Sequence, residues 1–144
     1  MSHQQFLAES FDYDLWANLR WLKFLPHATP EEGEVFAHIL MAQKMWAERV
    51  NGNSPTVFPV VDPTVENLRF LHQNWIDLIA SHDAEEIIHY KRTTGEAKSL
   101  TFHQIARQVA NHGTYHRGQM RGLCQIRNCT DFPETDFLHY YWSL

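Results

Sequence analysis

Cysteine is scarce, with only Cys124 and Cys129 in 144 residues. Their spacing fits neither a CxxC redox pair nor the repeated CxxC of a zinc ribbon, so both read as reduced thiols outside the chemistry. Long apolar runs are missing as well. No stretch approaches the roughly 20 residues that span a bilayer. The opening MSHQQFLAESFDYD lacks the basic start and apolar block of a secretory signal. A soluble, cytoplasmic protein without membrane association is the resulting expectation. Basic residues number 12 against 17 acidic, for a formal net charge of -5, and they are scattered. The chain therefore lacks the electrostatic footprint of a nucleic-acid binder.

What remains suits a folded globular chain: 44% of residues are hydrophobic, and the length is typical of one domain, expected to cover residues 1–144. From Ser2 to Leu25 an apolar pattern without proline or glycine predicts a first helix that Pro26 stops. A second helix opens on Thr29 as N-cap, with Pro30 at the first helical position and Glu32 closing a capping box, and Gly52 marks its end. The following NSPTVFPVVDP holds three prolines and cannot be helical. A third helix is expected from Asp62 or Thr64 to about Ser81, with Val65, Leu68, Leu71 or His72, Trp75, Leu78 and Ile79 inward. Thr93, Thr94 and Gly95 sit amid β-branched and aromatic residues, which suits a short hairpin or extended loop. Thr101 and Gln104 form another capping box, opening a last helix to about Ile126, and the aromatic tail beyond must pack on something. The predicted class is all-α: a four-helix bundle with long inter-helix connections and a short hairpin before the last helix.

Histidine is abundant, at ten residues, and three of the ten fall on apolar stripes. In the last helix Ile105, Val109, Met120 and Leu123 leave a gap that His112 and His116 fill in step. In the second helix His38 completes a line with Val35, Ala42 and Met45. All three are expected to face the interior, and at ~1.5 Å rise per residue they can meet at one height. Two histidines four apart share a helix face, and a third from a neighbouring helix completes the three-nitrogen set of an open metal site. Three buried imidazoles without partners would each cost ~1–3 kcal/mol, whereas one cation satisfies all three nitrogens. Other metal motifs fail. HExxH is absent, because Gly113, Thr114 and Tyr115 lie between the pair. A di-iron bundle needs two ExxH helices, and the chain has one such string, Glu86 to His89, in an expected loop. A mononuclear centre remains.

Four segments, YDLWANLRWL (Tyr13–Leu22), AHILMAQKMWAERVNG (Ala37–Gly52), NHGTYHRGQMRGLC (Asn111–Cys124) and PETDFLHYY (Pro133–Tyr141), resemble in that order the DinB-like proteins. The HRGQ extension after the second histidine is more specific than HxxxH alone. The resemblance implies a four-helix bundle with an unusual linkage. It also implies a divalent metal held by one histidine of the second helix and two of the last. On this chain these are His38, His112 and His116, the three that the stripes single out. Homodimers are common in that family. Its members with assigned activity are thiol-dependent S-transferases and isomerases that use bacillithiol, mycothiol or glutathione.

The functional expectation is therefore a divalent-metal-dependent enzyme that transfers a low-molecular-weight thiol to a small-molecule electrophile. A metal-dependent hydrolase and a non-catalytic, metal-stabilised binding or dimerisation module are the alternatives. Three imidazoles suit zinc, nickel, iron and copper alike. Asn111, Tyr115 and Gln119 are the candidates for catalysis or for supporting the ligands. Arg117 is expected to pair with the aromatic tail or Asp136, and Gly113 and Gly118 to admit close packing by the first helix or the tail. Trp46 is expected to wall the pocket or join the core, and His72 to be the one other histidine turned inward.

Overall fold

Three helices begin on the same reciprocal cap, in which a hydroxyl accepts from the third helical amide and that residue's side chain accepts from the cap amide. The pairs are Ser2 with Gln5, Thr29 with Glu32 and Thr101 with Gln104. They open α1 (His3–Phe24), α2 (Pro30–Val50) and α4 (Phe102–Ile126) in the computed structural model, which describes residues 1–144. The long helix α3 (Val65–Ser81) starts on Thr64, whose hydroxyl accepts from the Asn67 amide. After α1 the chain tightens into a 3-10 turn at Leu25–His27, where Pro26 has no amide to continue the ladder. Between α3 and α4, β1 (Ile87–Lys91) and β2 (Ala97–Thr101) pair antiparallel, with Ile88 opposite Leu100 and Tyr90 opposite Lys98. Gly95, at φ 89°, takes the left-handed position of the connecting turn. Glu86 to His89 thus leads into a strand, away from any helix face.

Core composition fixes the helix directions. One cluster joins Leu7 and Phe11 of early α1 to Ala47 and Val50 of late α2, Trp75 and Leu78 of late α3, and Ile105 and Val109 of early α4. A second joins Trp21 of late α1 to Phe36 and Leu40 of early α2, Leu68 and Leu71 of early α3, and Met120 and Cys124 of late α4. Hence α1 runs parallel to α4, and α2 and α3 run opposite to both. The proline-rich residues 51–64 carry the chain back along the molecule between the two parallel helices.

One detail of α3 differs from expectation, and an alternative left open there is decided. Val65, at the first position of the helix, is 49% exposed, and of the pair Leu71 and His72 it is Leu71 that is buried. His72 instead reaches Asp12, with Nε2 2.7 Å from Oδ1. The tail forms a helix of six residues: α5 (Phe137–Trp142) packs on α1, with the Phe137 ring stacked on Tyr13 at 4.1 Å. The Tyr13 hydroxyl donates to the Thr135 carbonyl at 2.5 Å. No helix is long and apolar enough to cross a membrane.

Candidate metal centre

The buried line of α4 runs through Phe102, Ile105, Ala106, Val109, Gly113, Arg117, Met120 and Cys124. Gly113 and Arg117, not His112 and His116, therefore fill the gap in the apolar stripe. Steps of three and four residues fit either line, because neighbouring positions are only about 100° apart and a core-facing stripe is at least that wide. Packing decides between them. Arg117, 2% exposed, donates from Nη1 to Asp14 Oδ1 at 2.6 Å and to Asn18 Oδ1 at 2.7 Å, and lies over the Tyr13 ring. Its partner is thus Asp14 of α1, not Asp136, since a guanidinium turned into the core takes the carboxylate buried there. A Cβ on Gly113 would lie 2.6 Å from Asp14 Oδ1, whereas Gly118 faces open space. The close approach to α1 occurs at Gly113 alone.

One position off the core line, His112 and His116 are half-buried along the groove between α4 and α2, and His38 of α2 is exposed. The three do not face the interior, but they do meet. His112 Nε2 lies 3.0 Å from His38 Nε2 and 3.1 Å from His116 Nε2, and all three ligand atoms are within 4.8 Å of one another. Nitrogens bound at 2.0–2.1 Å to one ion would stand about 3–3.4 Å apart, so the spacing suits a divalent cation. Proton bookkeeping agrees. Gln119 Oε1 accepts from His116 Nδ1 at 2.8 Å, which leaves His116 Nε2 as a bare lone pair in the neutral ring. His112 Nε2 carries at most one proton and cannot satisfy both neighbours. Burial pushes His112 down to about 4, with His116 and His38 adding to the effect, and lowers His38 in the same way. Neutral imidazoles, the form that ligates metals, result.

The neighbours separate clearly. Gln119 touches the cluster through His116. Tyr115 is 74% exposed, with its ring edge-on to His116 at 5.0 Å, so it stands on the rim. Asn111 is exposed beside Gln104 and Arg107 and makes no hydrogen bond to the three histidines. Trp46 walls a recess toward β1 that none of the three lines. Cys124 is buried, its thiol pushed up to about 11 by burial and by Glu32, and is unsuited to chemistry at neutral pH.

Sequence reasoning missed the polar layer behind the site, where Asp14 accepts from Arg117, from Asn18 Nδ2 at 3.1 Å and from the Gln43 amide. A signal existed. Asp14 and Asn18 are four apart in an otherwise apolar stretch of α1 and so share one helix face.

A family model described as the DinB superfamily matches residues 32–120, which is more than half of the chain and includes His38, His112 and His116. The chain belongs to the DinB superfamily. No curated protein matches it. The superfamily is metal-binding, and the three-histidine cluster of this DinB chain lies wholly inside the matched span. Asp14 and Asn18 on α1, and the α5 tail, lie outside it.

Proposed function

We propose that this DinB superfamily chain is a divalent-metal-dependent enzyme that transfers a low-molecular-weight thiol to a small electrophile, with His38, His112 and His116 as the metal ligands. The observation that carries the reading is the convergence of three Nε2 atoms, 3.0 and 3.1 Å apart, on the solvent-facing side of the α2–α4 groove. The group contains no carboxylate or thiolate that would complete a closed structural site, which favours an open, exchangeable position. A divalent cation there supplies Lewis acidity, so that a thiol ionises near neutral pH. The thiol itself comes from the resemblance to transferases and isomerases of the family; zinc, nickel and iron all suit the donor set.

The chain's own residues do the remaining work. Gln119 fixes the His116 tautomer and ring orientation. Burial keeps His112 and His38 neutral. The Arg117–Asp14 pair ties α4 to α1 directly behind the ligands, so Arg117 acts as a positioning residue. Tyr115 on the rim can offer its hydroxyl to an incoming substrate, and the exposed edge at His38 leaves room for one.

The test is thiol consumption by metal-loaded protein, using bacillithiol, mycothiol and glutathione with a panel of small electrophiles. Metal-dependent consumption in wild type, lost in His112→Ala, is expected. Metal binding without consumption of any of the three thiols would sink the transferase reading. Metal-dependent ester hydrolysis without thiol use would make the protein a hydrolase instead.

A further inference from the structure

Arg49, in the last turn of α2, is a cation that no carboxylate of the fold answers. It is 5% exposed, its guanidinium carbon lying 4.5 Å from the Trp46 ring centroid and 5.2 Å from that of Tyr90. The two rings meet edge-on at 5.1 Å beside it and supply no in-plane acceptor. Its Nε is buried without a hydrogen-bond partner. The one carboxylate of the neighbouring turn, Glu96, is taken by Arg92 at 2.9 Å and by Lys98 at 3.0 Å. Arg117, the other buried arginine, also leaves its Nε without a partner, but there the fold supplies a carboxylate, Asp14, at 2.6 Å from Nη1. A desolvated charge left unpaired is among the most unfavourable arrangements a fold can hold. Burial accordingly weighs against the charged form of Arg49, with Tyr90 opposing and Arg92 adding to that effect.

The same guanidinium lines a recess of about 380 Å³ between α2 and the hairpin. Trp46, Phe58 and Tyr90 form an apolar wall, Arg92 and Lys98 share the single carboxylate of Glu96 and so leave one positive charge in excess, and no carboxylate lines the recess itself. Tyr90 and Lys98 face each other across the strand pair, so their side chains leave the same face of the hairpin. An aromatic wall beside a planar, donor-rich cation matches an organic anion with an apolar body.

We propose that this recess is a binding site for a small organic anion, whose carboxylate or phosphate pairs with the Arg49 guanidinium while its apolar part lies against the aromatic wall of Trp46, Tyr90 and Phe58. None of the three histidines lines the recess, so the site stands whether or not they bind a metal.

Isothermal titration of the full chain with phenylphosphate, phenylacetate and the neutral phenylacetamide tests this, before and after chelation of metal. Saturable one-to-one binding of at least one anion is expected, at least tenfold tighter than the amide and unchanged by chelation; the two anions distinguish a phosphate from a carboxylate site. Arg49→Met is expected to weaken that binding at least tenfold. Should Arg49→Met fail to fold, the exposed pair Arg92→Ala and Lys98→Ala carries the test, with at least a threefold loss expected. Absence of saturable anion binding, equal affinity for the amide, unchanged affinity in the folded variants, or loss of binding on chelation would each overturn the proposal.

Discussion

A single side chain decides how one ligand is presented. With Gln119 Oε1 on His116 Nδ1, the Nε2 lone pair points at the other two imidazoles. Gln119 is exposed, so its loss leaves the fold intact. Gln119→Ala is expected to weaken metal affinity about 10- to 100-fold, as loss of such outer partners does elsewhere, with an unchanged melting temperature in the chelated protein. Competition with a chromophoric chelator measures it, and an unaltered affinity would show that His116 needs no help. That His38, His112 and His116 meet was legible in their spacing, but their direction was not. A stripe of threes and fours fits 109, 112, 116, 120 as well as 109, 113, 117, 120, and only the presence of Asp14 opposite α4 selects the second.

Between elements, the polar layer sits at the level where one apolar cluster gives way to the other. Asp14 there is 3% exposed and is held by Arg117, Asn18 and Gln43. Arg117→Met leaves that carboxylate buried with two amide donors but no cation, which is expected to cost about 3–5 kcal/mol in chemical denaturation. Adding Asp14→Leu should restore part of the loss, and a double variant no better than the single would contradict the pairing. Gly113→Ala drives a Cβ against Asp14 Oδ1, and about 1–3 kcal/mol of destabilisation is expected. Helix starts were legible at Thr29 and Thr101 because hydroxyl and Glu or Gln stand three apart. The α5 helix was not, since six residues carry no period and owe their form to the Tyr13 and Thr135 contacts.

Across the whole molecule, the end of α4 is tied to the start of α2 by a two-pronged pair. Arg127 donates to Glu32 Oε2 at 2.8 Å and to Oε1 at 3.0 Å. The guanidinium holds the Glu32 carboxyl below its ordinary 4.5, against the opposing effect of burial, with Thr29 assisting. A depressed carboxyl binds fewer protons when folded than when unfolded, so its contribution is complete above 4.5 and is lost as pH falls through the lower folded value. Acid titration of stability should therefore fall less steeply below 4.5 in Glu32→Gln than in wild type, and identical slopes would remove this pair from the acid transition. Directions of the long helices could not be read from the chain, because residues 51–64 are long enough to join α2 to α3 either way; the shared clusters settle it. The central claim is a metal at the α2–α4 groove, and elemental analysis after zinc or nickel loading and dialysis tests it most directly. About one equivalent per chain is expected in wild type and in His72→Ala, with the metal lost from His112→Ala. Equal metal content in wild type and His112→Ala, or none in wild type, would contradict the site.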